Sequence, residues 1–331
     1  MRTILILTQN DDVSTTKVMR WIHYLDKNIK VIRLHPEDLY NASLGTVPLN
    51  NSLHISTEFS EFSTNSIGVV WTRKWNIYPT SSDKIFVDGT ISKQEEIVIK
   101  SNLRDEFSAF FRFFIYTLNH NKHTYWLNHP NNIGTRKLED LLLAEQVGFN
   151  IPKSFICTEF DAHLVRTNQS YISKHLSNCF SLYRNHIPYI TYTCRVKQDD
   201  KESFFVSLIQ EEMRKELEIR VFYINSQCFS IAIMSQNNKK TELDYRNYDY
   251  ENPNREEVFA LPIHIQNKIR KFMKIRKLET GSLDFILTPE GKYVFLEVNP
   301  CGQYDLFNLA NIYPDKIIAE HLINKSYESK K

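Results

Sequence analysis

Gly281-Ser282-Leu283-Asp284-Phe285-Ile286-Leu287, Thr288-Pro289-Glu290-Gly291-Lys292 and Tyr293-Val294-Phe295-Leu296-Glu297-Val298-Asn299-Pro300 follow one another near the end of the chain. The outer runs read as apolar strands and the middle one as a tight turn. Side chains two apart on a strand share a face, so Glu297 and Asn299 point the same way. With a loop of Pro289 to Lys292, Thr288 pairs with Tyr293 and the ladder brings Asp284 opposite Glu297. Opposed residues lie roughly 4.5–5.5 Å apart, so two carboxylates and an amide oxygen converge on one patch. Carboxylates that close repel unless a cation lies between them. An oxygen-only set favours Mg²⁺, which takes few protein oxygens and completes its shell with water and phosphates. A surface hairpin with scattered polar side chains would carry the same residues. Both strands are otherwise apolar, however, and buried carboxylates need partners.

The bulk composition sets the frame for that patch. At 331 residues the chain is long enough for two or three compact units. Lys+Arg 41 against Asp+Glu 39 leaves a net charge of +2. No overall field therefore argues for nucleic acid or an acidic membrane as a partner. The five cysteines, 157, 179, 194, 228 and 301, show no C-x-x-C pair, which suits reduced thiols in a cytoplasm. The N-terminal apolar run, Ile4 to Leu7, is too short for a signal peptide. No apolar run reaches the ~18 residues that a membrane span requires.

Strand and helix patterns then divide the chain. Residues 3–8, Lys30 to Leu34 and Gly68 to Trp71 read as strands, and Ser14 to Leu25 as a helix carrying Val18, Met19, Ile22 and Leu25. Asn41 to Ser66 holds short antiparallel pieces, and Glu95 to Asn119 a long helix. This order predicts a small α/β domain over 1–125 with a parallel sheet. Trp71-Thr72-Arg73-Lys74-Trp75 puts two cations between indoles at a strand's C-terminal end, where ligands gather in such sheets. A cation–aromatic surface cluster would read the same.

After the short strand Tyr125 to Leu127, a helix runs from Thr135 to a C-cap at Gly148. Lys137 lies in its first turn, where the helix dipole disfavours a cation unless an anion is near. An ordinary solvated lysine fits there too. Pro152 to Cys157 and Tyr171 to Lys174 read as strands around a short helix over 162–167. Ile187 to Val196 and Ser203 to Ile209 follow as strands, the latter running into Gln210-Glu211-Glu212-Met213. Glu218 to Ile224 and Cys228 to Met234 form a hairpin over Asn225 to Gln227, with Glu218 and Arg220 on one face, where they could pair. A polar insertion over 237–255 contains Asp244-Tyr245-Arg246. Helices are expected over Leu261 to Arg276 and Tyr313 to Ile323.

The order of these features resembles the ATP-grasp ligases. Lys137 opens a helix that ends at Gly148; strand-end Lys174, Gln210-Glu211, Glu218-Ile219-Arg220, Asp284 and Glu297-x-Asn299-Pro300 follow. The resemblance runs from about Trp126 to Gln303. The Arg73 cluster, Asp244-Tyr245-Arg246 and Asn299-Pro300-Cys301-Gly302-Gln303 are similar to the peptide-macrocyclising branch that matures microviridins and other graspetides, including its grasp-with-spasm type.

The resemblance implies a mixed α/β (α+β) ATP-grasp fold. It divides the chain into an N-terminal pre-ATP-grasp α/β domain over 1–125, a central subdomain over 126–206 and a C-terminal subdomain over 207–331. It implies that Lys137 and Lys174 contact the phosphates of ATP, Lys174 also lying near the adenine, and that Gln210, Glu211, Glu212 and Met213 form a hinge strand at the adenine and ribose. Arg220 would face the γ-phosphate and the forming acyl phosphate, and Asp284, Glu297 and Asn299 would hold Mg²⁺. Arg73, Asp244 and Arg246 are candidates for binding the substrate, Arg246 and Arg73 by holding its acidic side chains. The implied partner is a precursor peptide with leader and core, the implied assembly a homodimer, and the implied location the cytoplasm. One departure stands out. The segment after Lys174, His175-Leu176-Ser177-Asn178-Cys179-Phe180-Ser181, has no glycine where many relatives carry a glycine-rich phosphate flap.

The implied reaction is ATP-dependent activation of Asp or Glu side chains, joined to Ser/Thr as esters or to Lys as amides. Two other readings fit the same residues: a ligase adding amino acids to a protein or a small carboxylic acid, and a nucleotide- or peptide-binding scaffold without catalysis.

Overall fold

The computed structural model describes residues 2–44, 50–75, 90–121, 123–159, 169–177, 181–185, 187–196, 203–236, 238, 240–247, 249 and 251–329. The expected helix over 162–167, residues 178–180 of the segment after Lys174, and insertion positions 237, 239, 248 and 250 lie outside them. The chain divides into two compact units, 1–133 with 315–331, and 134–314. No helix among the described residues is long and apolar enough to cross a membrane.

The first unit is built on near-continuous apolar runs, the pattern of strands buried on both faces. Strands β1 (Arg2–Leu7) and β2 (Ile29–Leu34) flank helix α1 (Val13–Leu25), and helix α2 (Pro36–Tyr40) follows. The short β3 (His54–Ser56) and β4 (Glu61–Ser63) pair antiparallel, as expected for this polar stretch. With β5 (Val69–Thr72) and β6 (Tyr125–Leu127), a parallel sheet forms in the order β2-β1-β5-β6. Helix α3 (Lys93–His120) starts at a capping box, in which Ser92 and Glu95 bond each other's backbone. Its second half buries Phe107, Phe111, Phe114 and Leu118 against the sheet residues Leu5, Leu7 and Val70.

In the second unit, helix α4 (Lys137–Gln146) ends where Gly148 takes φ +90°, the left-handed C-cap position that favours glycine. The helix begins at Lys137 rather than Thr135, so Lys137 is its first residue. Strands β7 (Ser154–Cys157), β8 (Tyr171–Lys174), the separate hairpin β9 (Ser181–Arg184) and β10 (Ile187–Ile190), β11 (Cys194–Arg195) and β12 (Ser207–Glu211) follow. Four of them make a small sheet in the order β11-β8-β12-β7. The expected strand from Ile187 to Val196 is thus two pieces, and the one expected from Ser203 starts at Ser207.

The large antiparallel sheet carries β13 (Leu217–Ile224), β14 (Gln227–Met234), β15 (Arg255–Val258), β16 (Thr280–Leu287) and β17 (Tyr293–Asn299), in the order β15-β14-β13-β16-β17. The β13–β14 turn is only two residues, Asn225 and Ser226, both at positive φ (48° and 63°), which suits a primed hairpin turn. Helix α5 (Ile263–Arg276) lies behind this sheet, and α6 (Pro314–Glu328) closes the chain. Alternation sends Ile219, Val221, Tyr223, Leu283, Phe285, Phe295 and Val298 into one core with Leu141 and Ala144 of α4 and Ile265, Ile269 and Phe272 of α5. Phe285 lies 5.3 Å from the ring of Phe149 and 5.6 Å from that of Phe295. Truncating such a ring to alanine costs about 3–5 kcal/mol. The opposite face of the same strands is free to carry charge.

Candidate functional site

That opposite face is polar. Glu218 and Arg220 on β13 stand opposite Ile286 and Asp284 on β16. Asp284 in turn stands opposite Glu297 on β17, and Ser282 opposite Asn299. The sequence predicts the Asp284–Glu297 pairing, but the route to it differs. Leu287, not Thr288, pairs with Tyr293, and the register shifts by one between Asp284 and Phe285. The turn is therefore one residue longer, with Thr288 donating its N–H to the Lys292 carbonyl at 3.0 Å. A bulge at Leu296 restores the expected register. An extra residue in one strand re-aims the side chains beside it. Leu296 and Glu297 both face the same cavity, while Phe295 and Val298 remain in the core.

The cavity holds about 490 Å³. The small sheet contributes Ile172, Lys174, Gln210 and Glu211 to its wall, and the segment leaving β12 contributes Glu212 and Met213. The large sheet contributes Glu218, Asp284, Ile286, Leu296 and Glu297, and the insertion contributes Asp244, Tyr245 and Arg246. Of the thirteen residues named from the sequence, these two sheets and the insertion bring Lys174, Gln210, Glu211, Glu212, Met213, Asp244, Arg246, Asp284 and Glu297 to one surface.

Lys137 and Arg220 are tied to that surface by ion pairs. Lys137 Nζ lies 3.4 Å from Glu297 Oε2 and donates to the carbonyls of His175 (2.9 Å) and Ser177 (3.3 Å). It thereby holds His175 to Ser177, which follow Lys174. Arg220 donates from one terminal nitrogen to Asp284 Oδ1 at 3.0 Å and Oδ2 at 3.2 Å, and to the Tyr245 hydroxyl. Its other terminal nitrogen reaches the Gln303 carbonyl at 2.9 Å. Arg220 therefore pairs with Asp284 and not with Glu218, which binds Lys215 and Ser235 instead.

Arg246 is held by Asp244 through Nε–Oδ1 at 2.8 Å and Nη2–Oδ2 at 2.9 Å, and it reaches Glu297 Oε1 at 3.3 Å. Asn299 is exposed, and its Oδ1 accepts from the Cys301 N–H at 3.0 Å. Arg73 belongs to the first unit. There it is 3% exposed, and its Nε donates to Asp12 at 2.9 Å. Lys74 lies 3.3 Å from the same carboxylate, and Trp75 stacks on Phe111 at 5.3 Å.

Burial and charge set the protonation of the cluster. Burial pushes Asp284 up; Arg220 pulls it down, the nearby Glu297 pushes it up again, and the result is about 6. Burial also opposes ionisation of Glu297, but the charges of Lys137, Arg246 and Lys174 outweigh it and lower its pKa. Lys174 is pushed down by burial, against the pull of Glu297 and with the repulsion of Lys137 and Arg246. Asp244 is driven up by burial and held down, at about 2, by its bonds to Arg246.

Asp284 and Glu297, opposed across the ladder, present hard oxygen donors of the kind that a divalent cation such as Mg²⁺ takes. Among the described residues no group of three or more His, Cys, Asp and Glu side chains forms a metal site. The set here is two acids and an amide.

Residues outside the sequence reading complete the wall. Arg195 clasps Glu212 through Nε (3.0 Å to both oxygens) and Nη2 (2.8 Å), and also reaches Glu242 at 3.1 Å. Thr193 donates to Asp244 at 3.1 Å. Nothing in their local sequence marks either one, because their partners are 17 to 51 positions away.

No protein-family model matches the sequence, and no curated protein matches it. Solved structures do. A RiPP-associated ATP-grasp ligase of Chryseobacterium gregarium, in complex with ADP and a leader and core peptide, superposes at TM-score 0.79 with 22% identity, over 98% of this chain and 97% of that one. The macrocyclase MdnC of Microcystis aeruginosa MRC, bound with the precursor peptide MdnA, matches at 0.75 and 22% identity, over 97% and 99%. The ATP-grasp ligase PsnB, complexed with a phosphomimetic variant of a minimal precursor, Mg and ADP, matches at 0.71 and 16% identity, over 98% and 99%. At these identities the likeness establishes architecture. The chain has the ATP-grasp fold, preceded by an α/β domain.

Proposed function

We propose that this protein is an ATP-dependent ligase that closes macrocycles in a ribosomal precursor peptide. One observation carries the reading: an oxygen-acid pair, two lysines and two arginines converge where the hinge residues 210–213 border a single cavity. The structures it resembles hold ADP, Mg and leader and core peptides, which supports the choice of substrates.

A carboxylate resists attack by a hydroxyl or amine because oxide is too poor a leaving group. Transfer of a phosphoryl group from ATP makes an acyl phosphate, from which phosphate departs readily. In this reading Lys137 and Lys174 hold the phosphates, and Arg220 faces the transferring group and the acyl phosphate. Arg246, set by Asp244, holds the acidic side chain of the peptide. Glu212 or Glu211 meets the ribose, and the strand from Gln210 to Met213 meets the adenine. Asp284, Glu297 and Asn299 would hold Mg²⁺, which supplies charge neutralisation during such transfers. Fixed positive groups aimed at developing charge are the main catalytic contribution here. The peptide's Ser, Thr or Lys then attacks the activated carbon within a closed cleft.

In this reading the subdomains 126–206 and 207–331 serve the nucleotide and the insertion over 237–255 serves the peptide, whereas Arg73, 3% exposed and bound to Asp12, is not offered to a ligand. A microviridin-like ω-ester product, a homodimer, a cytoplasmic location and the absence of a nucleic-acid partner complete the proposal.

Incubating the protein with ATP, Mg²⁺ and a precursor peptide rich in Thr and Glu tests it by mass spectrometry. Loss of one water per bond formed is expected. A mass gain would point to amino-acid addition, and no turnover of any peptide or amino acid to a scaffold. Glu297→Gln should abolish turnover while leaving the circular-dichroism spectrum unchanged.

A further inference from the structure

Lys215 and Glu218 border the cavity and have no part in the chemistry above. Their side chains are 8% and 9% exposed, and Lys215 Nζ lies 2.8 Å from Glu218 Oε1. Ser235 donates its hydroxyl to the same oxygen at 2.9 Å. Buried ion pairs are seldom better for stability than apolar residues of equal volume, so stability alone does not account for this one.

Its geometry does. The second bond of Lys215 Nζ, 3.1 Å long, goes to the carbonyl of Leu243, the residue immediately before Asp244. Asp244 fixes Arg246 three times over, through Nε, Nη2 and the backbone N–H of Arg246 at 3.1 Å. The direction of Arg246 therefore follows the backbone at 243–244. Tyr245, between the two, meets Arg220 through its hydroxyl. The root of the insertion is pinned nearby as well. Thr241 donates to the Ser235 carbonyl at 3.1 Å, and Gln236 to the Glu242 carbonyl at 3.2 Å.

We propose that Lys215, held in place by Glu218, is a positioning residue that fixes the insertion so that Arg246 meets the substrate carboxylate in one orientation. This rests on the reading of Arg246 as the group that holds the peptide's acidic side chain.

The test is the double variant Lys215→Met/Glu218→Gln. It removes both charges together, keeps an acceptor for Ser235 and leaves no buried ion unpaired. Three measurements are made on the full chain: amide exchange of 241–247 by mass spectrometry, Kd for Mg-ATP, and peptide turnover. Exchange in 241–247 should rise roughly tenfold, and KM for the peptide should rise roughly tenfold with kcat within about threefold, the size of one lost hydrogen bond to a charged group. Affinity for Mg-ATP should change less than the peptide KM does, since Lys215 and Glu218 reach Arg220 and Glu297 only through Tyr245 and Arg246. Exchange at the wild-type level would overturn the clamp. Faster exchange with an unchanged peptide KM would reduce it to a structural pair. Absence of any peptide turnover by the wild-type protein would instead overturn the proposed function, a result read separately from exchange.

Discussion

Replacing Arg276 by methionine tests how the N-terminus of α4, and with it Lys137, is held. Arg276 Nε donates to Asp140 Oδ1 at 2.6 Å, with side-chain exposures of 4% and 3%. One of its terminal nitrogens donates to the Gly134 carbonyl at 2.8 Å. The pair thus joins α5 to the first turn of α4 and to the segment entering it. Even beside the guanidinium, burial holds the Asp140 carboxyl above its usual range. Methionine leaves that carboxylate buried with its cation gone, which costs about 3–5 kcal/mol. For a unit of this size that corresponds to a fall in Tm of about 6–20 °C.

The pH dependence has a definite sign. A carboxyl whose folded pKa is raised binds its proton more tightly when folded. Its penalty is therefore absent below the unfolded value and grows as pH rises through the folded one. The deficit of Arg276→Met should accordingly be large at pH 7.5 and smaller at pH 5. The double variant Asp140→Leu/Arg276→Met should recover most of it at both. The assay is thermal unfolding followed by circular dichroism. A single variant within 1 °C of wild type, or equal deficits at both pH values, would refute the reasoning.

Three further outcomes follow from the same structure. His321, hydrogen-bonded to the Tyr125 hydroxyl at 2.8 Å, is pushed down to about 4 from 6.5 by burial and then by Lys325. Its contribution is full above the unfolded value and is lost as pH falls through the folded one, up to about 3 kcal/mol, so His321→Gln should narrow the difference in Tm between pH 7.5 and 4.5. A Cβ at Gly302 would lie 2.7 Å from Ser282 Cβ and Oγ and 3.2 Å from the Asn299 carbonyl oxygen. Gly302→Ala should cost about 1–3 kcal/mol, with partial relief in Gly302→Ala/Ser282→Gly, read as Tm. Because burial and neighbouring cations lower the pKa of Lys174, binding of the polyanion ATP should raise it again. Calorimetry in buffers of different ionisation enthalpy should register proton uptake on binding above neutral pH.

The large features were legible because they depend on local pattern. Apolar runs such as Ile4 to Leu7 and Val69 to Trp71 marked buried parallel strands. Alternation in β13 and β16 separated a core face from a charged one. The Asp284–Glu297 pairing was also legible, though by compensation: a longer turn shifted the ladder by one and the bulge at Leu296 shifted it back. Bulges leave no mark in composition, so the pattern gave the right partner for Asp284 and the wrong one for Tyr293. β15 was missed because Arg255 to Val258 reads as the polar end of an insertion, and only its pairing with β14 makes it a strand.

What stayed hidden shares one physical cause. The bonds that shape the site end on backbone carbonyls or on distant acids, and neither has a sequence signature. Lys137 is held by the carbonyls of His175 and Ser177 as well as by Glu297, which ties residues 175–177 to the start of α4. Residue types identified which charges would gather: Lys137, Lys174, Arg220 and Arg246 against Asp244, Asp284 and Glu297. Only tertiary structure shows how they are paired. Glu297 serves as counter-ion to Lys137 and Arg246 together, so any ligand that takes up Glu297 removes a shared counter-ion from both, leaving Arg246 on Asp244 and Lys137 on the two carbonyls. In the proposed reaction those two cations serve different substrates, the nucleotide and the peptide, and the acid between them is the point at which occupancy by one would prepare the site for the other.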